Sequence, residues 1–268
     1  MKKILLILLF FPFIMYSQVN CMAYLYKGDT ANYKACILVE KIDSLHPDQF
    51  SRGFHEIYDE ALKISLNFDY AYRKKSTAYL KSGDFITWKK LIDKAVELNW
   101  RSNLGYRGWC RYQFFRDYEG AIKDIELLDS LVKYDIGYSQ NGHYHLNFAK
   151  GICYSAIAQK QKAIEVFNQQ LNSSNYEAGL YDYFQLGVTY FEVKDYSNAL
   201  LCFEKQARIN PLADNEYFRG KTYKVLKNMT EYEKSKELAL RLFKENKKLF
   251  DPYTHHFNKV YYDSIVND

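Results

Sequence analysis

The chain has 268 residues, 48% of them hydrophobic and 26% charged, proportions ordinary for a soluble globular protein or a stack of small repeated units. Its formal charge is +5, and setting aside Lys2 and Lys3 leaves 35 basic against 32 acidic residues, a balance too mild to mark a nucleic-acid partner. Four prolines and 12 glycines interrupt it, few enough for long helices, so composition predicts an all-α chain.

Residues 1–17, MKKILLILLFFPFIMYS, have the layout of an export leader: Lys2 and Lys3 precede an apolar run from Ile4 to Ile14 broken only by Pro12. The run is shorter than the roughly 20 residues that span a bilayer. Cleavage after Ser17 is expected, leaving a mature chain without a membrane span and placing the protein in the periplasm, on the cell envelope or outside the cell. A short N-terminal stretch, 18–30, follows. The cysteines are Cys21, Cys36, Cys110, Cys153 and Cys202. An odd number cannot be fully paired, and Cys21 with Cys36 is the one pair to test as a disulfide. Cys110, Cys153 and Cys202 fall on apolar helical stripes, where cysteine acts as a small hydrophobe. No CxxC spacing suggests structural zinc.

From residue 31 to 246 the sequence repeats. Gly151, Gly187 and Gly220 recur at steps of 36 and 33, and Tyr154, Tyr190 and Tyr223 follow each by three. Phe54, Trp88, Ala121, Ala163 and Ala199 recur at 34, 33, 42 and 36. The excess before Ala163 predicts a longer loop at 134–141, YDIGYSQN. The clearest unit, 183–211, carries Leu186–Gly187, Tyr190, Tyr196, Ala199, Phe203 and Pro211. Residues 108–128 repeat its second half through Asp117–Tyr118, Ala121, Ile125 and Leu128. Residues 150–167 match through Gly151, Tyr154, Ala163 and Phe167, and 72–98 through Tyr79, Gly83, Phe85, Trp88, Ile92 and Ala95. The units at 31–66 and 214–246 are weaker, the last needing an inter-helix turn longer by about three residues to keep the period. Residues 247–268 are expected to form a C-terminal capping helix or tail, with helix around Phe257 to Ile265.

These units resemble tetratricopeptide repeats. The resemblance implies an all-α, right-handed superhelix, an α-solenoid of about six helical hairpins. It also implies that the first helix of each hairpin lines a concave groove. The positions carried over are Tyr70, Arg73 and Thr77, then Asn103, Tyr106 and Gln113, then His145, Phe148 and Ile152. Tyr181, Phe184, Val188 and Phe191 come from the fifth unit, and Tyr217, Lys221 and Lys224 from the sixth. Aromatic anchors dominate peptide interfaces, yet aromatics at helical spacing equally describe a core, and both readings stand. The carboxylate-gripping variant of the family needs Asn where Thr77, Cys110 and Ile152 stand, so capture of a peptide C-terminus gains no support.

Catalytic patterns are missing: no GxSxG, phosphate-cradling glycine loop or dinucleotide fingerprint occurs. His55–Glu56 begins a zinc-protease pattern, but Asp59 occupies the place of the second His. His143 with His145 and the pair His255–His256 read as surface histidines, and an enzyme would require them, or the carboxylates, to converge in one pocket. Cys110 has no activating partner in the sequence. The sequence therefore predicts a non-enzymatic protein–protein interaction scaffold without cofactor or metal, holding a protein or peptide in its groove. The alternative is an accessory subunit of a cell-envelope complex that docks by its convex face or tail.

Overall fold

In the computed structural model, residues 19–43 and 47–268 are described, so the leader expected at 1–17 lies outside the described residues. Regular structure among them is helical apart from one isolated bridge between Tyr138 and His145. The chain divides into two compact units, the first ending at Lys94 and the second spanning Ala95–Asp268.

The first unit holds α1 (Met22–Tyr26), α2 (Thr30–Asp43), α3 (Arg52–Ile64), α4 (Asp69–Ser82) and most of α5 (Phe85–Leu98). Cys21 and Cys36 are disulfide-bonded with Cα atoms 5.4 Å apart, tying the entry of α1 to α2. Closing a loop of sequence separation 15 is worth about 3 kcal/mol. Ala35, Cys36, Val39, Tyr58, Ala61, Phe68 and Ala71 are fully buried in one cluster. The buried Ser65 hydroxyl donates to Asn32 Oδ1 at 2.6 Å, joining the chain after α3 to α2.

The second unit contains α6 (Trp100–Cys110), α7 (Tyr118–Leu131), α8 (Leu146–Ala156), α9 (Lys160–Leu171), α10 (Asp182–Glu192), α11 (Tyr196–Ile209), α12 (Ala213–Val225), α13 (Met229–Lys244) and the short α14 (Tyr262–Val266). Helices α6–α7, α8–α9, α10–α11 and α12–α13 pack as hairpins. First helices of successive hairpins also touch, α6 with α8, α8 with α10 and α10 with α12, and they line one side of the stack.

The inter-helix turns share one geometry. Arg116, Ala158, Lys194 and Lys227 adopt left-handed backbone, with φ between 55 and 65°, and the next residue caps the second helix in three of the four. Asp117 accepts from the Gly120 amide at 3.0 Å, Asp195 from Asn198 at 3.1 Å and Asn228 from Glu231 at 3.3 Å. Each cap satisfies an amide that the helix itself leaves unpaired.

Two hairpins close on glycine. A Cβ on Gly187 would stand 2.6 Å from the Phe203 ring, and one on Gly151 would stand 2.5 Å from Phe167. The aromatic side chain of the second helix thus lies directly on first-helix backbone, which is why glycine and phenylalanine recur together. Phe167 and Phe203 follow their glycines by 16 residues, whereas Ile125, the equivalent neighbour of Gly108, follows it by 17. The added residue is absorbed as a π-helical turn at Arg111–Phe115, a common way to fit an insertion into a helix without breaking it.

The sixth hairpin departs from expectation. Its turn is not longer, because Leu226–Asn228 joins α12 to α13 just as Val193–Asp195 joins α10 to α11. Tyr232 follows Gly220 at the distance Ala199 follows Gly187, so the weak match comes from substituted side chains in an unchanged register. The helix expected at 257–265 is likewise confined to Tyr262–Val266.

This packing predicts unequal costs for one substitution. Gly187→Ala forces the buried Phe203 ring aside and should destabilise the chain by about 1–3 kcal/mol. At Gly220 the nearest atom to an added Cβ is Ser235 Cβ at 3.3 Å, and Gly220→Ala should cost less than about 1 kcal/mol. Thermal unfolding of both variants measures the contrast.

Candidate functional site

The chain after α13 returns across the first-helix side of the second unit. Asp214, fully buried in the first turn of α12, holds both ends of the returning segment: its carboxylate accepts the Leu249 amide at 2.8 Å and the Val260 amide at 2.7 Å. Residues 249–260 therefore form an Ω-like loop whose ends meet on one side chain. Burial raises the Asp214 pKa, and the two amide bonds act against that rise.

Between its ends the loop is gripped through both backbone and side chains. The Thr254 hydroxyl donates to the Gln113 carbonyl at 3.1 Å, and the Arg116 guanidinium donates to the His255 carbonyl. Gln185 of α10 donates Nε2 to the Phe257 carbonyl at 3.1 Å while its Oε1 accepts from Asn258 Nδ2 at 2.9 Å. The Phe257 ring meets Tyr118 edge-on at 6.2 Å. Beyond the loop, Val260 and Ile265 pack with Ala239, Tyr217, Phe218 and Phe243, and Lys224 pairs with Asp268 at 3.1 Å.

Within the loop, Asp251 Oδ1 accepts the Tyr253 and Thr254 amides at 2.9 and 3.0 Å, forming a tight turn. His256 is 4% exposed, and its Nε2 bonds the Phe250 carbonyl at 3.0 Å. Its ring stacks on His143 at 5.0 Å, and Tyr181 meets both imidazoles edge-on at 5.6 and 5.2 Å. Burial, with His143 nearby, lowers the His256 pKa to about 4, against the opposing pull of the Phe250 carbonyl and Asp251. Burial also lowers the His143 pKa, with Asp251 opposing.

The residues expected to line a groove are distributed as follows. In the first unit, Tyr70 and Arg73 of α4 are half-buried, with Lys74 Nζ 5.1 Å from the Tyr70 ring centre. In the second, Asn103, Gln113, His145, Phe148, Phe184 and Val188 are at most 2% exposed. Asn103 bonds the carbonyls of Ala95 and Asn99 at 3.1 and 2.9 Å. Phe148 stacks on Phe167 at 4.9 Å, and Phe184 meets Phe218 at 5.9 Å. Tyr106 is also buried, and Tyr181 lies against His143 and His256. Phe191, Tyr217, Lys221 and Lys224 remain half-buried, Lys221 lying over the Tyr217 ring. For this set the burial has two sources: packing against hairpin neighbours and the covering C-terminal segment.

Three histidine positions depart from the surface role expected of them. His145 is 1% exposed and caps α8, accepting the Asn147 amide at 3.1 Å while its Nε2 bonds Asp135 at 2.9 Å. His143 and His256 converge although 113 positions apart. The free cysteines Cys110, Cys153 and Cys202 are buried, and burial raises the Cys153 thiol and pushes the Cys202 thiol up to about 12, away from the reactive thiolate form. Asp214, Gln185, Arg116 and Asn141 were missed as site residues. Gln185 and Asp214 stand among several buried polar residues of α10 and α12, Asp182, Thr189, Asn215 and Glu216 among them, so neither is singled out by the sequence. Among the described residues no helix is long and apolar enough to cross a membrane.

If Asp214 closes the loop, Asp214→Asn keeps one acceptor and loses the other. The variant should raise amide exchange at Leu249 or Val260 by about tenfold to a hundredfold, the equivalent of losing one charge-assisted bond of ~1.5–3 kcal/mol. Exchange in α8 and α10 should stay unchanged, as hydrogen-exchange mass spectrometry can read.

No family model and no curated protein matches the sequence. Among solved structures, the chain is similar to PilW, described as a widely conserved type IV pilus biogenesis factor, with a TM-score of 0.57 and 14% identity over 84% of this chain and 90% of that one. Pseudomonas aeruginosa PilF gives 0.56 and 14%, covering 84% and 89%. A tetratricopeptide repeat protein from Parabacteroides merdae gives 0.51 and 14%, covering 87% and 91%.

Proposed function

The chain has the tetratricopeptide-repeat fold, and from that premise we propose that it is a non-enzymatic scaffold whose first-helix face takes an extended peptide segment of a protein partner. The observation that carries this reading is that the face already holds an extended stretch of its own chain. Asp214, Gln185 and Arg116 bind backbone amides and carbonyls of residues 249–260, while the Gln113 carbonyl and Gln185 Oε1 accept from the Thr254 and Asn258 side chains. A surface that grips main chain accepts many sequences, with side-chain pockets setting preference. A partner segment competes with residues 249–260 for the same donors and acceptors, so release of the tail is part of binding. Tyr181, against His256, and Tyr217, against Val260, are proposed to border that surface, and Tyr70 and Arg73 are the positions proposed in the first unit.

Export to the cell envelope is the setting proposed for this activity. The leader-like start and the Cys21–Cys36 bridge support it, since disulfides persist in oxidising compartments. A second reading has its own observation. The docked tail shows Phe250, Tyr253 and Tyr261 to solvent at 58%, 63% and 52% exposure, and such exposed aromatics suit docking into a larger envelope complex.

The test separates the two. Val260→Asp undocks the tail while leaving the first-helix face intact, and Gln185→Leu removes a gripping side chain. Affinity capture from envelope extract should retain a partner roughly tenfold more strongly on Val260→Asp than on the native chain. Adding Gln185→Leu should abolish that gain. Equal retention by all three chains would place the partner elsewhere, and better retention by the native chain would favour docking through the folded tail. Phe184→Ala is unsuited to this test, because Phe184 is fully buried against Phe218 and its truncation measures the core.

A further inference from the structure

We propose that His143, Asp251 and His256 form a binding site for a divalent transition metal ion of the Zn2+ type, and that the bound ion latches the C-terminal loop to the segment before α8. One ligand atom from each residue lies within 4.8 Å of those from the other two. His143 Nδ1 and Asp251 Oδ2 are 3.8 Å apart, close to the spacing of two donors on a tetrahedral zinc ion with bonds of about 2.0–2.2 Å.

The surroundings already orient the donors. His256 Nε2–H donates to the Phe250 carbonyl at 3.0 Å, which leaves Nδ1 as its lone-pair nitrogen, 3.5 Å from the Tyr144 hydroxyl that an ion would displace. A backbone carbonyl on the non-ligating nitrogen is a common support for metal-binding imidazoles. The lone pairs of His143 Nδ1 and Asp251 Oδ2 converge on one hydrogen-bond donor, the neutral Asn141 amide, whose Nδ2 lies 3.0 and 3.2 Å from them. A cation bound there replaces two hydrogen bonds from Asn141 Nδ2 with two metal bonds, and the Asn141 amide swings aside. Tyr181 and Tyr144 wall one side, each in a T-shaped contact with the His256 ring. The His143 side chain is 22% exposed and the Asp251 side chain 5%, so an ion enters past His143 and is then shielded from water.

The donor set decides the class of ion. Two imidazoles and one carboxylate suit Zn2+, Co2+ or Ni2+, whereas Ca2+ and Mg2+ require mostly oxygen. Three protein donors leave a coordination position for water. The buried thiols of Cys110, Cys153 and Cys202 lie outside this cluster.

The donors come from two stretches more than 100 residues apart in sequence, so binding the ion and docking the loop are one linked equilibrium. An ion at about 100 times its dissociation constant strengthens docking by about a hundredfold. This assignment does not depend on the peptide-binding reading, because a chain that captures no partner still titrates with metal.

The experiment uses the tag-free chain, stripped with chelator and titrated with Co2+ alone and Zn2+ alone. One equivalent should bind, with visible d–d absorption from Co2+ and no sulfur charge-transfer band. His143→Gln and Asp251→Asn should each weaken binding by roughly a hundredfold, with helical circular dichroism retained. Asn141→Asp supplies a further donor and should tighten binding by about tenfold. Zn2+ should slow amide exchange across residues 249–260, and chelator should reverse it. Absence of one-equivalent binding, binding unchanged in His143→Gln and Asp251→Asn, or a sulfur charge-transfer band would overturn the site. Binding that leaves exchange in the loop unchanged would overturn the latch.

Discussion

A single buried carboxylate organises everything beyond the repeats. Asp214 sits where the amides of α12 point, a position that favours negative charge, and it receives two further amides from Leu249 and Val260. Without them the desolvated carboxylate would be short of donors and costly. With them, both ends of a loop are fixed at one point. Ordering each residue of that loop costs about 1–2 kcal/mol in backbone entropy. Burial of Leu249, His256 and Val260, together with the two-sided bond of Gln185, offsets that cost.

The repeats supply the platform. Glycine on first helices lets Phe167 and Phe203 lie on backbone, bringing the two helices of a hairpin close, and left-handed turns followed in three of four cases by Asp or Asn caps keep the hairpins alike. A stack built this way is stiff along its first-helix side, and polar groups such as Gln185 and Arg116 are held at fixed spacing. The π turn at Arg111–Phe115 precedes Arg116, and this interruption is where the Gln113 carbonyl and the Arg116 side chain meet the loop. An insertion of one residue thus coincides with the far contact of the tail.

The helical hairpins were legible because their determinants are local. Gly187, Tyr190, Ala199 and Phe203 lie within one hairpin, so their recurrence reports packing directly. The sixth hairpin was harder to read because Tyr232 stands where the third, fourth and fifth units carry alanine, hiding an unchanged register. The π turn also left a trace, the extra residue between Gly108 and Ile125, but a single insertion in a degenerate pattern is easily absorbed by eye. The site was mostly illegible. Residues 249–260 have no helical period, and their partners Gln113, Asn141 and Gln185 are far away in sequence. Spacing alone could not tell a groove-lining aromatic from a core one. Phe148 and Phe184 are core, whereas Tyr181 joins the histidine cluster.

The central claim is that residues 249–260 lie docked against the first helices of the second unit. The most direct measurement is a nuclear Overhauser contact between the Phe257 and Tyr118 rings, whose centres are 6.2 Å apart. The account predicts that cross-peak, together with dispersed shifts through the loop. Random-coil shifts for residues 249–260 and no cross-peak between those rings would contradict it.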